Sequence, residues 1–151
     1  MKTFKRDKVL CLAKEFVPGF QNPDKDMLIV DKMKREALLR VEQRKWKSSL
    51  PLLLEVLRCQ TLLLGPDHPQ VANILYHTGV VNYRMGNMEY ALNQLEKAAK
   101  IIYPTRYTFK NMDLAAIFYQ IGMIYRCEEN FEMSLHYLGK QSNMYLFLKK
   151  H

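Results

Sequence analysis

A chain of 151 residues, 48% hydrophobic and 25% charged, is long enough for one domain with a core and too apolar to stay disordered. No apolar run approaches the ~18 residues of a membrane span, and Lys8, Lys14 and Glu15 interrupt the opening "MKTFKRDKVLCLAKEF", which excludes a secretory signal. The net charge of +8 is uneven: residues 1–50 hold thirteen Lys/Arg against seven Asp/Glu, and residues 51–151 ten against eight, so the first third is where an acidic partner would be steered.

Spacings of three and four recur along the chain while period-2 alternation is missing, which predicts an all-α fold. A basic helix is expected over 3–16, with Val9, Leu12, Ala13 and Phe16 on one side. With its linker it would occupy residues 1–23 and could cap one end. The breakers "FVPGFQNPDKD", "GPDHP", "GN" and "YPTRYTFKN" then divide residues 24–151 into three helix pairs, about 27–64, 69–103 and 111–148. Apolar stripes are expected at Met33, Ala37, Leu38 and Val41, then at Leu50, Leu53, Leu54 and Leu57. They continue at Val71, Leu75, Thr78 and Gly79, and at Ile117, Ile121, Ile124 and Tyr125. The last helix ends "NMYLFLKKH", whose consecutive apolar residues either pack inward or meet another chain.

The pairs are copies of one another. "KWKSSL" (45–50), "NMEYAL" (87–92) and "NFEMSL" (130–135) align at offsets of 42 and 43. Each has a small residue, Ser49, Ala91 or Ser134, and twelve residues before it stands Ala37, Gly79 or Gly122. Two antiparallel helices approach closely only where the crossing side chains are small. A mid-helix glycine costs about 0.5–1 kcal/mol relative to alanine, so glycines recurring in one phase indicate a steric demand. Leu53, Leu95 and Leu138 follow four residues after each small position. Gly86 and Asn87 differ in role: they close one helix and open the next.

These residues resemble the tetratricopeptide repeat. Leu75, Gly79, Ala91, Leu95 and Ala98 carry the pattern in the second copy, and Phe118, Gly122, Tyr125, Ser134 and Leu138 in the third. Met33, Ala37, Ser49 and Leu53 carry it in the first. The usual period is 34; the longer spacing and the loop "LGPDHPQVA" are similar to the kinesin-light-chain type. The resemblance implies a right-handed superhelix of antiparallel hairpins, three pairs plus the N-terminal helix, acting as a cytoplasmic adaptor or scaffold. It also implies that the first helix of each pair lines a concave groove for a peptide or helical segment of a partner. Carried over position by position, that lining is Lys34, Arg35 and Leu38, with Val41, from the first copy. The second copy supplies Asn73, Tyr76, His77 and Tyr83, with Val80. The third supplies Tyr119, Gln120 and Arg126, with Met123.

This mixed aromatic, amide and basic surface suits a ligand with an apolar anchor and some acidic residues. Of the two-carboxylate clamp used by chaperone-binding relatives only Lys34 matches; Leu38, His77, Ala116 and Gln120 fill the other positions.

No enzyme and no cofactor are expected. His68 lies within a turn triplet, His77 and His136 have no partner at ligand spacing, and no nucleophile, metal or phosphate-loop motif occurs. Cys11, Cys59 and Cys127 are odd in number and far apart, which reads as reduced thiols in an intracellular protein. The runner-up function is a helical accessory domain of a larger protein, such as a ubiquitin-ligase substrate receptor or a methyltransferase lobe. Nucleic-acid binding through the basic first third ranks lower, because no reading motif accompanies the charge. Self-association through the last helix is a further expectation.

Overall fold

The computed structural model describes residues 23–105 and 112–150. The expected helix over 3–16 lies outside them. Among the described residues the structure is six α-helices and one 3-10 turn, with no strand: α1 Pro23–Glu42, α2 Trp46–Leu64, α3 Pro69–Arg84, α4 Met88–Ile102, the turn Tyr103–Thr105, α5 Met112–Cys127 and α6 Phe131–Lys150. Contacts divide the chain into two compact units, one up to Ile74 and the other from Leu75.

In the first unit α1 packs on α2. Ala37, Ser49 and Leu53 are all fully buried, so the small-residue crossing is part of the core. The α2 stripe expected at Leu50, Leu53, Leu54 and Leu57 is corrected: the buried face is Ser49, Leu52, Leu53, Val56, Cys59 and Gln60, and Leu54 is exposed. The segment "LPLLLEVLRCQTLLL" is apolar around most of the helix, so its periodicity does not choose a face. Burial pushes the Cys59 thiol up. Both side-chain polar atoms of Gln60 are buried without a hydrogen-bond partner. A buried unsatisfied group of this kind costs about 1–3 kcal/mol. Gln60→Met, of similar length, should therefore raise the melting temperature, by the equivalent of about 1–2 kcal/mol; a lower melting temperature would show the carboxamide to be satisfied.

In the second unit the two mid-helix glycines do the same job. A Cβ on Gly79 would stand 2.8 Å from Leu95 Cγ and 3.3 Å from the Ala91 carbonyl oxygen. A Cβ on Gly122 would stand 2.9 Å from Leu138 Cγ and 3.4 Å from the Ser134 carbonyl oxygen. The Ser134 hydroxyl fastens that second crossing by donating to the Gly122 carbonyl at 2.9 Å.

The hairpin turns share one backbone shape. Arg44 (φ 56°), Gly86 (φ 85°) and Glu129 (φ 59°) sit in the left-handed region, again 42 and 43 residues apart. In each turn the following N–H reaches back five residues: Lys45 to the Arg40 carbonyl at 2.9 Å, Asn87 to Asn82 at 2.8 Å, and Asn130 to Tyr125 at 2.9 Å. Together with the inner bonds from Arg44 to Val41, Gly86 to Tyr83 and Glu129 to Arg126, this is the Schellman closure of a helix. Only Gly86 is free of the Cβ penalty there. Glu129→Gly should therefore stabilise the fold by about 1 kcal/mol, seen as a higher midpoint in thermal unfolding; Gly86→Ala should do the opposite.

Asn87 opens α4, but its side chain makes no cap bond. Its amide donates instead to Asn82 Oδ1 at 3.2 Å. Asn130, the corresponding residue before α6, does cap: its Oδ1 accepts from the Met133 N–H at 3.2 Å.

Beyond the shared backbone, the crossings differ in side-chain chemistry. Buried Arg40 binds Glu36 Oε1 and the Ser48 carbonyl oxygen, each at 2.9 Å. At the equivalent position Asn82 Nδ2 donates to Gln94 Oε1 at 2.9 Å. In the third pair Tyr125 stacks on Tyr137, with ring centroids 5.8 Å apart.

Candidate protein-binding face

His68 belongs to the entry of α3 rather than to a reactive site. Its Nδ1 accepts the Gln70 N–H at 3.1 Å, its carbonyl accepts the Val71 N–H at 2.9 Å, and Pro69 takes the first helical position, where a missing N–H costs nothing.

From this start α3 presents Tyr76, His77, Val80 and Tyr83, and α5 presents Tyr119, Gln120, Met123 and Arg126. Within the second unit several of these side chains are brought together. Tyr76 is half-buried, its ring edge-on to that of His77 with centroids 5.2 Å apart. Its phenol is hydrogen-bonded to Gln120, and burial pushes it up. Tyr83 Oη lies 3.4 Å from Cys127 Sγ; that hydrogen bond, with burial, raises the Tyr83 phenol, and Tyr119 is close enough to act on it. Arg84 extends over the Tyr83 ring, 5.7 Å from its centroid. Tyr119 is 41% exposed and Arg126 is exposed. Val80 and Met123 are half-buried.

The charge along this face is graded. Asp113 acts on Tyr76 at the beginning of α5, whereas Arg84 and Arg126 stand at the ends of α3 and α5. Cys127 and Asp113 were missed by the sequence reading. Cys127 carried no signal beyond being a thiol, since its contact with Tyr83 depends on how α3 and α5 are offset.

The remaining expected residues belong to the first unit. Lys34 and Leu38 are half-buried on α1 and Arg35 is exposed, with its Nε donating to the Asp31 carbonyl at 3.4 Å. Asn73 is half-buried near the start of α3. A recess of about 520 Å³ between α4, α5 and α6 is lined by other residues, among them Lys100, Phe118, Tyr137 and Lys140. Among the described residues no group of His, Cys, Asp and Glu could hold a metal ion, and no helix is long and apolar enough to cross a membrane.

Hairpins of antiparallel helices recurring in one register define a helical-repeat protein. Residues 33–102 match the tetratricopeptide repeat, a protein-interaction module, and the helix hairpins have a tetratricopeptide-like fold. The fold is similar to that of BtubC (BKLC) from P. vanneervenii, with a TM-score of 0.74 at 18% identity over 82% of this chain. The chain spans about half of that protein, 49% of its length. The resemblance to the kinesin-light-chain type of repeat stands. No curated protein matches the sequence.

Proposed function

We propose that this chain is a non-enzymatic adaptor that holds an extended peptide or a helical segment of a partner protein on the face built by α3 and α5. The observation that carries the reading is the set of accessible tyrosines, Tyr76, Tyr83 and Tyr119, interleaved with Gln120 and Arg126. Tyrosine and arginine are the usual anchors of interaction hot spots. Two of the phenols are already held, by Gln120 and by Cys127, so less side-chain freedom is lost on binding.

The gradient from Asp113 to Arg84 and Arg126 favours a ligand whose acidic residue lies toward the ends of α3 and α5 and whose apolar anchor lies beside Tyr76. Lys34, Arg35, Leu38 and Asn73 belong to the same reading by repeat position. Cys59 and Cys127 are free, which suits a reducing compartment such as the cytoplasm.

The test is selection of a displayed peptide library against the whole chain. Peptides combining an acidic residue with an apolar anchor should be enriched, and Tyr76→Ala with Tyr119→Ala should release them while circular dichroism stays helical. A nucleic-acid module would behave the other way: reversing Lys5, Arg6 and Lys8 would matter more than either tyrosine, with a steep salt dependence.

A further inference from the structure

Helix α6 is apolar on two sides. One side, with buried Ser134 and half-buried Tyr137, Leu138 and Gln141, belongs to the helix pair, where α6 packs on α5. The other is open: Phe131, Leu135 and Leu146 are 62%, 72% and 59% exposed. Gly139 and Ser142 lie between them, and the spacing of four, four, three and four residues puts all five on one stripe of the helix. Beside Gly139 there is open space, for a Cβ added there would meet nothing within 4 Å.

The equivalent positions of α4 show what such a stripe does in this fold. Met88, Leu92 and Ala99 are half-buried, and α4 packs on α5. In α6 the same positions carry Phe131, Leu135 and Ser142, all exposed.

The stripe is close to its own mirror image. Read backwards, Phe131 falls on Leu146, Leu135 on Ser142, and Gly139 lies at the centre. Charge follows the same reversal. Exposed Glu128, Glu129 and Glu132 mark the beginning of the helix, and exposed Lys149 and Lys150 mark its end. Two copies laid antiparallel would set glutamates against lysines at both ends of the contact, whereas two parallel copies would set like against like.

We infer that the exposed face of α6 is a homodimer contact, in which a second copy of this chain packs its own α6 antiparallel and crosses near Gly139. The contact is isologous, one patch meeting itself, and the missing side chain at the centre permits close approach. Phe131 of each copy meets Leu146 of the other. The inference does not rest on the peptide-binding reading. A stripe of sixteen residues is about 22 Å long, which buries less than the roughly 800 Å² per partner of a standard interface. The dimer is therefore concentration-dependent.

Sedimentation equilibrium of the whole chain, from low micromolar to several hundred micromolar, should show the mass rising from 17.9 kDa toward twice that value. Leu135→Glu with Leu146→Glu should keep the chain monomeric throughout, with its helical circular dichroism unchanged. Two charge variants decide the geometry even if that double variant fails to fold. One carries Glu128→Lys, Glu129→Lys and Glu132→Lys; the other carries Lys149→Glu and Lys150→Glu. Each should be monomeric alone, and an equimolar mixture should regain the dimer mass. A wild-type chain that stays monomeric, a dimer that survives in the folded leucine variant, or a mixture that fails to pair would overturn the proposal.

Discussion

Gly79→Val should destabilise the second unit by about 1–3 kcal/mol, the usual cost of overpacking a close-packed site, and Gly122→Val should cost less. The Cβ alone would enter at 2.8 Å from Leu95 Cγ and 3.3 Å from the Ala91 carbonyl oxygen. Leu95 is fully buried and has nowhere to turn, and the carbonyl belongs to the α4 backbone. Leu138, which faces Gly122 at 2.9 Å, is only half-buried and can swing toward solvent. Urea unfolding of the two variants measures the difference. A double-mutant cycle sharpens it: Leu95→Ala alone should cost about 2–5 kcal/mol, yet in the Gly79→Val background it should cost clearly less. Equal costs at the two glycines, or simple additivity with Leu95→Ala, would mean that contact with this leucine is not what keeps position 79 a glycine.

The paired substitution Tyr76→Ala with Tyr119→Ala should weaken capture of a selected peptide by at least about a hundredfold, since hot-spot truncations cost about 2 kcal/mol or more each and tenfold in affinity is about 1.4 kcal/mol. The two residues should contribute differently. Tyr119, 41% exposed, offers its ring to a ligand, whereas the Tyr76 phenol is held by Gln120. Tyr76→Phe therefore separates the held hydroxyl from the ring: if the ring is the anchor, that variant binds nearly as well as the unmodified chain. Arg126→Glu should slow association, most at low salt, because rim charges act on the encounter and are screened over about 10 Å at 0.1 M salt. Full-strength binding by the double variant would remove this face from consideration.

What could be read in advance followed from whether the physics is local. A close helix crossing imposes a small side chain at a fixed spacing, so Ala37, Gly79 and Gly122, with Ser49, Ala91 and Ser134, mark the repeat in the sequence alone. The buried face of α2 could not be read in the same way, because leucines surround that helix and only its neighbours decide which are covered. Arg44 and Glu129 gave no sign of a left-handed turn, since neither is a glycine; the strain is held there by the returning bonds from Lys45 and Asn130. Asn87 looked like a cap by residue type, and Asn82 diverted its amide. On the proposed binding face, repeat position supplied the tyrosines and Gln120. Which of them touch depends on how far α3 and α5 slide past each other, and no spacing within one helix encodes that.

The variety at the three crossings bears on how the chain finds its fold. Repeats with similar backbones invite mispairing, in which a first helix closes on the second helix of the wrong copy. Here the second and third pairs penalise a mismatch. If α3 closed on α2, Asn82 would face Leu52, the residue that stands where Gln94 does, and would lose its bond to Gln94 while keeping the one to the Thr78 carbonyl, at a cost of about 1 kcal/mol. Tyr137, if α6 closed on α3, would find the polar amide of Asn82 in place of the stacked ring of Tyr125. The shared turns make the hairpins alike in shape, while an amide pair and an aromatic stack act as two different keys, so that these helices recognise their own neighbours while the chain is still collapsing.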